Sequence, residues 1–526
     1  MGILGLLKDF SGWTSGHGIP QIGSARNAIV RLIWTILYLG FLFVFGYNLF
    51  IIIKKFFAYG VTVGTNIKFE QRLFPAVTIC NRNPYKNSQI DLAPKLKGLM
   101  EDYKKVLGNI AGQVEDEDEF GFNNKSSSMD KMALARTAMV YLARNMSEDV
   151  WSKLTYNFTD LVLECRFGEV RCSFEDFSMI RDPFYGACYT FNNMKPPRYT
   201  SSRGGSLFGL SLLVKADQSE FLPITETAAF RVTVHNQQSE PFPDAFGYNA
   251  AAGFVNSFGV KFGTTVRLQK PYGDCIKDKS ESTIFFYKSS NYSMEACFRS
   301  CYQDRIVKKC NCADPRFESK TGVTTCPLRK LSCIENLGTV TAEDCHCVQA
   351  CNDTTYGVTA SQSYWPQKRN LPGVKEDPEH DCGAQENKTE CLEWWNENTM
   401  RIEVYYERLS YQELQSNKAY VFTDIITDLG GQIGLWLGLS VISVVEFVGL
   451  SLLILCYCIA KKAGPQVTPD QDDQEKDLDE IDQIIAKRQN DDSGSSSSGS
   501  SSSGESSASD SSSDSSDSEE VDAKKQ

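Results

Sequence analysis

The chain has 526 residues, with 54 Lys+Arg against 66 Asp+Glu, 41% hydrophobic residues, 18 Cys and 4 His. A net charge of −12 argues against nucleic acid as a partner, because phosphate binding needs clustered basic side chains. Residues 464–526 hold 17 Asp/Glu and 5 Lys/Arg, which is the whole imbalance, so the remainder is neutral and unlike a simple acidic soluble protein.

In chain order, residues 1–31 precede a first membrane span at 32–53, which is 22 residues without a charge between Arg31 and the pair Lys54-Lys55. At about 1.5 Å per residue such a helix reaches roughly 33 Å, enough for a bilayer core of about 30 Å. It is too long and starts too late for a cleaved signal peptide. The alternative, a buried core helix, is disfavoured by 22 uninterrupted apolar or neutral positions, since helices of soluble proteins rarely lack a polar face.

Residues 54–428 mix two kinds of text. FPAVTIC (74–80), SLFGLSLLV (206–214) and AAFRVTVHN (228–236) predict strands, while KMALARTAMVYLARNM shows apolar spacings of three and four and predicts a helix. The expected class is membrane α plus extracellular α+β, a sheet core with helical insertions. The acidic run at 114–120 reads as a solvated loop. Sixteen of the 18 Cys lie in this segment, which implies a disulfide framework in an oxidising compartment. Six Asn-x-Ser/Thr sequons lie there too, at Asn124, Asn145, Asn157, Asn291, Asn352 and Asn387, and none elsewhere. Segment 54–428 is therefore expected outside the cell and both flanking segments in the cytoplasm, with the protein in the plasma membrane. Cys310-x-Cys312 and Cys345-His346-Cys347 suggest zinc, but disulfides are the better account in an oxidising, Cys-rich setting.

The second apolar stretch, residues 429–460, contains one charge, Glu446, and five glycines at 430, 431, 434, 438 and 449. Thirty-two residues of straight helix would be roughly 48 Å, so a tilt, a break or a part outside the bilayer must absorb the excess. Unwound backbone at membrane depth is tolerated only against protein or a water-filled cavity. Residues 461–526 begin with Lys461 and Lys462 and end in Ser/Gly/Asp/Glu low complexity, a disordered tail that is either simply solvated or a docking segment open to serine phosphorylation. Cys456 and Cys458 at the cytoplasmic end of the span are either palmitoylated or unmodified.

An ectoenzyme would need chemistry that the sequence lacks. None of His17, His235, His346 and His380 opens a His-Glu-x-x-His motif, and there is no Gly-x-Ser-x-Gly elbow or phosphate loop. No catalytic residue, metal or cofactor is expected. A Pro-Pro-x-Tyr at 196–199 resembles a ligand of cytoplasmic WW domains, but on the outside it is a loop.

In the second span Gly438, Leu439 and Ser440 place small residues on either side of a bulky one. Small residues permit close approach, and several copies around an axis would present carbonyls and hydroxyls in place of an ion's hydration shell. The alternative is ordinary packing. Glu446, six residues deeper, is a functional candidate because a lone carboxylate in a span faces water or a partner. Two spans cannot enclose a pore, so three or more chains in cyclic symmetry are needed.

Taken together, His17-Gly18 before the first span, FPAVTICN at 74–81, YGDC at 272–275, the Cys ladder and the run DLGGQIGLWLGLS to Glu446 resemble the degenerin/epithelial sodium channel family. The resemblance covers residues 16–462 and implies a homotrimer with a large ectodomain, an amiloride-sensitive pore and Na⁺ as the permeant ion. It implies that Gly438, Leu439 and Ser440 are the selectivity filter, that Thr427, Asp428, Gly431 and Glu446 line the pore and gate, and that His17-Gly18 folds back beneath the filter. It also implies the pairs Cys80–Cys188, Cys165–Cys172, Cys275–Cys351, Cys297–Cys347, Cys301–Cys345, Cys310–Cys333 and Cys312–Cys326. Cys382 and Cys391 are additional and would form an eighth bridge.

Counted back from FPAV, the proton-sensing histidine of acid-sensing relatives falls on Gly60 and the nearby acidic pair on Thr65 and Asn66. Groups that titrate near neutral pH are missing there, which disfavours proton gating, though clustered carboxylates can also sense acid. A His-Gly-Ile-Pro start at 17–20 resembles the FMRFamide-gated branch, so gating by an extracellular amidated peptide is expected, with proton gating or constitutive activity as alternatives. A nucleotide-gated trimer would need a dense basic cluster, which is not found. An adhesion receptor would need neither Glu446 nor the triplet.

Overall fold

The computed structural model describes residues 3–107, 119–122, 128–194, 196–338, 340–341, 343–369, 372, 381–383 and 387–462. The sequon Asn124, His380, most of the acidic run at 114–120 and the serine-rich tail from 463 lie outside the described residues. The chain divides into two compact units, one formed by residues up to 38 together with those from 438, the other by 39–437.

Helices α1 (Ile3–Trp13) and α2 (Ile19–Ser24) precede α3 (Ala28–Phe57). This 30-residue helix contains the predicted first span and four more residues at each end. Of its side chains only Ile52 is buried, the pattern of a helix whose solvent is lipid.

Strands β1 (Val61–Phe69), β2 (Arg72–Leu73) and β3 (Ala76–Asn81) follow. A helical insertion comes next: α4 (Pro94–Leu107), α5 (Ser128–Arg144), α6 (Glu148–Leu154) and α7 (Phe158–Leu161). Then come β4 (Val162–Phe167), β5 (Val170–Arg171), β6 (Phe177–Asp182), β7 (Gly186–Phe191), β8 (Thr200–Ser201), β9 (Leu210–Lys215) and β10 (Ala229–His235). After α8 (Pro243–Phe246), β11 (Tyr248–Ala251) leads into the long β12 (Phe254–Val266). Helices α9 (Met294–Cys310) and α10 (Leu331–Glu335) precede β13 (Asn352–Tyr364), and α11 (Lys388–Asn398) precedes β14 (Thr399–Tyr406) and β15 (Ser410–Lys418).

The described strands form three sheets. Eight belong to the order β1-β15-β12-β14-β9-β4-β5 with β13 added on β12, five to β11-β10-β3-β7-β6, and β2 pairs with β8. The predicted strand at 74–80 is β3, central in its sheet, and all six of its residues are buried. A strand flanked on both sides and covered on both faces tolerates this density of apolar residues. Val77 and Ile79 enter the main core with Phe74, Tyr103, Phe191 and Phe230. Thr78, on the other face, shares a 2.8 Å hydrogen bond with Thr190.

One expectation changes in detail. The strand predicted at 206–214 starts only at Leu210, after a turn over Ser206–Phe208. Gly209 lies against the carbonyl of Val404, where a side chain would collide, so the chain enters the sheet through a glycine.

The Cys-rich helices are an insertion between two paired strands. β12 and β13 run antiparallel over 13 residues, from Phe254↔Tyr364 to Val266↔Asn352. At the open end Arg267 N donates to Cys351 O at 2.7 Å, and the Cys275–Cys351 disulfide closes the base. Inside the insertion Cys297–Cys347, Cys301–Cys345 and Cys310–Cys333 fasten α9 to its neighbours, and Cys312–Cys326 closes the loop after it. The small local core of Tyr141, Ile306, Ile334 and three of these cysteines, Cys310, Cys312 and Cys326, explains the need for them. The remaining bridges are Cys80–Cys188, Cys165–Cys172 and Cys382–Cys391, so the pairs are those named from the sequence.

Candidate functional site

The second apolar stretch is not one helix. Helix α12 (Phe422–Leu437) ends at the triplet, and α13 (Val441–Lys462) starts directly after it. Gly438, Leu439 and Ser440 are non-helical, and Gly438 has φ +61°, the left-handed region that glycine enters without cost. The break at the triplet is thus how this chain absorbs the excess length. Ser440 caps the new helix: its Oγ accepts from Ser443 N at 3.4 Å, and Ser443 Oγ accepts from Ser440 N at 3.1 Å.

The same unit brings the N-terminal motif onto this break. α1 stops at Trp13, with Thr14 N still donating to Phe10 O at 3.0 Å, and Phe10 packs on Phe447 with ring centroids 5.2 Å apart. The turn that follows lies on the triplet. A Cβ on Gly438 would fall on the imidazole of His17, and one on Gly16 would sit 3.0 Å from Leu439 Cδ2. Gly18 has φ +87° and lies against the Tyr38 ring, so both glycines beside His17 are required by space or by backbone.

Glu446 is held by that turn. One carboxylate oxygen, Oε2, accepts from Thr14 Oγ1 at 3.0 Å, Ser15 N at 2.9 Å and Ser15 Oγ at 3.1 Å. Ser15 Oγ also lies 2.5 Å from Ser443 Oγ, linking the carboxylate to the cap of α13. Three donors on one carboxylate oxygen are charge-assisted and fix its position. Thr14, Ser15 and Ser443 were not singled out from the sequence. Their only signals were two hydroxyl residues just before His17-Gly18 and a serine three positions after Ser440.

The outer end of α12 carries the other predicted pore residues. Thr427 Oγ1 donates to Thr423 O at 3.0 Å, and Asp428 accepts from the Tyr420 hydroxyl at 2.5 Å. The Lys55 ammonium, at the end of α3, lies 4.2 Å from the Tyr420 ring centroid. Among the described residues, a Cβ on Gly430, Gly431 or Gly434 would meet nothing within 4 Å.

Other expectations find their places away from the spans. The five described sequon asparagines, Asn145, Asn157, Asn291, Asn352 and Asn387, are all exposed. His235 is buried, with Nε2 at 2.8 Å from Thr78 Oγ1 and Nδ1 at 2.9 Å from Asn236 O, and burial lowers its pKa to about 4. His346 sits at φ +49° between two bridged cysteines. Among carboxyls, burial raises Asp182 to about 6 and Glu240 to about 7.

Residues 10–450 match the family described as "Amiloride-sensitive sodium channel". The chain belongs to that family. The degenerin-like protein asic-2 of Caenorhabditis elegans is 35% identical to this family member over 508 residues, covering 90% of this chain and 91% of the relative. The degenerin-like protein unc-105 and the degenerin mec-10 of the same organism are 34% and 31% identical, covering 69% and 70% of this chain but only 43% and 50% of their own lengths. A solved proton-activated chloride channel covers 80% of this chain and 98% of its own at a TM-score of 0.28 and 6% identity, a likeness too slight to argue from. The family is one of ion channels, and its membership with the two apolar helices makes this sodium-channel relative a two-span protein of the plasma membrane, disulfide-rich outside and cytoplasmic at both flanks.

Proposed function

We propose that this chain is the subunit of a homotrimeric, amiloride-sensitive, sodium-selective channel opened by an extracellular FMRFamide-like peptide. The observation that carries the channel reading is the break at Gly438, Leu439 and Ser440, seated on the His17 turn. Unwound backbone within an apolar stretch needs a polar surrounding, and a pore shared by several chains supplies it. In this reading the triplet is the selectivity filter, and Thr427, Asp428 and Gly431 line its outer approach. Glu446, pinned by Thr14 and Ser15, holds the inner turn in register with the filter. The glycines of α12 suit close approach by neighbouring subunits. Peptide gating rests on the His17–Pro20 resemblance and on the missing acid-sensing groups at Gly60, Thr65 and Asn66.

A second reading is favoured by one observation. Burial raises Asp182 to about 6 and Glu240 to about 7, within the range of an acid step, so a proton stimulus needs no histidine. Whole-cell current from cells expressing this chain alone separates the two. An amiloride-sensitive inward sodium current is expected on applying Phe-Met-Arg-Phe amide at neutral pH. A current evoked only by acid would favour the second reading, and silence to both with protein at the surface would refute the homomeric channel.

A further inference from the structure

Cavities in the outer domain differ in how their charges are balanced. One of 340 Å³ contains Arg82, Arg136, Glu226 and Asp244. There Arg136 pairs with Glu226 at 2.6 Å and Asp244 with Arg299 at 2.8 Å, which among the described residues leaves Arg82 and a surplus of positive charge. A second, of 660 Å³, is polar, and its lysines are matched: Lys86 with Asp160 at 2.6 Å and Lys215 with Asp217 at 3.5 Å.

The third, of 760 Å³, is different. It lies between β10, α8 and β11 on one side and the start of α9 with β13 on the other. Glu240 lines it, and among the described residues no hydrogen bond or ion pair reaches its carboxylate. Arg299, the nearby cation, is already taken by Asp244 at 2.8 Å and Glu295 at 2.7 Å. Burial, with Glu318 and Asp182 nearby, pushes the Glu240 carboxyl up to about 7, as expected for an acid without a counter-cation. The same cavity exposes apolar side chains that a closed surface would cover: Phe246 is 56% exposed, Met294 40% and Tyr248 37%. An uncompensated carboxylate beside exposed aromatic and thioether groups is complementary to a cation carried next to an aromatic ring.

We propose that this cavity is the agonist site, binding an arginyl-aromatic amide with its guanidinium on Glu240 and its ring against Phe246, Tyr248 and Met294. The assignment rests on the peptide-gated reading above. The volume falls within the range of about 300–1,000 Å³ usual for small-ligand sites. Its β13 wall is hydrogen-bonded to β12 throughout its length, and β12 pairs with β15 from Gly263↔Gln412 to Val266↔Gln415. β15 ends at Lys418, four residues before α12 begins. A ligand that binds one setting of this wall more tightly shifts the equilibrium of α12 with it.

The test uses the full chain and two readouts, peptide-evoked current in cells and binding of fluorescently labelled Phe-Met-Arg-Phe amide to detergent-purified protein. The variants are Glu240→Gln and Phe246→Ala, each checked for surface expression, and a second peptide carries norleucine in place of arginine. Glu240→Gln is expected to raise the half-activating concentration and Kd of the arginine peptide about tenfold, the worth of one charged hydrogen bond. The norleucine peptide should lose that difference, while Phe246→Ala weakens both peptides. Because Phe246 is exposed, it carries the test if Glu240→Gln fails to fold. Wild-type current with neither variant shifted overturns the cavity and leaves peptide gating standing. Binding that shifts as expected without current keeps the cavity and removes the gating reading. Neither binding nor current overturns both.

Discussion

The five-stranded sheet and the break in the second apolar stretch are held together by different physics. In the sheet every residue of β3 and β7 is buried, and Cys80 and Cys188 are direct cross-strand partners joined by a disulfide. That region is complete within one chain. The break rests on glycine at φ +61°, serine hydroxyls and one carboxylate. Just before it, a Cβ on Gly430, Gly431 or Gly434 would meet no described atom within 4 Å. The first region buries its own surface, whereas the second depends on a glycine turn and a few polar contacts. Substitutions should therefore act through folding in the sheet and through current in the break.

The largest expected effect is at Gly438. Valine there meets both a left-handed backbone, at about 1–2 kcal/mol, and the His17 ring. Gly438→Val should abolish current while surface biotinylation stays near wild type. Gly438→Ala paired with His17→Ala should recover part of the current lost in Gly438→Ala alone, because the added methyl then has room. Equal currents for the single and double variants would show that the ring is not what the methyl meets.

In the sheet the readout reverses. Cys80→Ser should cost about 2–5 kcal/mol and appear as lost surface protein, with the surviving channels conducting normally. Normal surface abundance with altered single-channel current would break the proposed division between the regions.

How much of this was legible in the sequence follows from range. The first span, β3, β10 and α5 were readable because period and hydropathy are local. The break was legible only as an excess of length and a run of glycines, since nothing local says where a helix will stop. The disulfide pairs came through resemblance, because spacing alone leaves many connectivities open. The contact of Ser15 with Glu446 joins residues 431 positions apart, and no periodicity marks it. The Glu240 cavity is built from β10, α8, β11, α9 and β13, so Glu240 looked like any other acid.

A smaller effect is expected at Glu446. Glutamine keeps the shape and one acceptor but loses the charge that strengthens three hydrogen bonds from Thr14 and Ser15. Glu446→Gln should lower the sodium-to-potassium permeability ratio several-fold, read from the reversal potential. Thr14→Ala, which removes one donor, should shift it less. An unchanged reversal potential in both would confine the network to a structural role.

The smallest effect is on the acid stability of the sheet. His235 accepts from Thr78 and donates to Asn236 as a neutral ring, and burial keeps its pKa at about 4. Unfolded, the group titrates near 6.5, so between these values the unfolded state binds more protons. Its contribution is full above about 6.5 and drains as pH falls, approaching roughly 3 kcal/mol by pH 4. Asp182 and Glu240 act with the opposite sign, because their folded pKa values of about 6 and 7 exceed those of ordinary carboxyls. Protonating them in the folded state adds stability as pH falls from about 7 toward 4. The two trends offset each other in the wild type. Replacing His235 by Gln removes one of them, so the change in Tm from pH 7.5 to 5 should be more favourable in the variant than in the wild type, whatever its stability at pH 7.5. Parallel pH profiles would mean that His235 is not held neutral, and the sheet would then contain a titrating histidine after all.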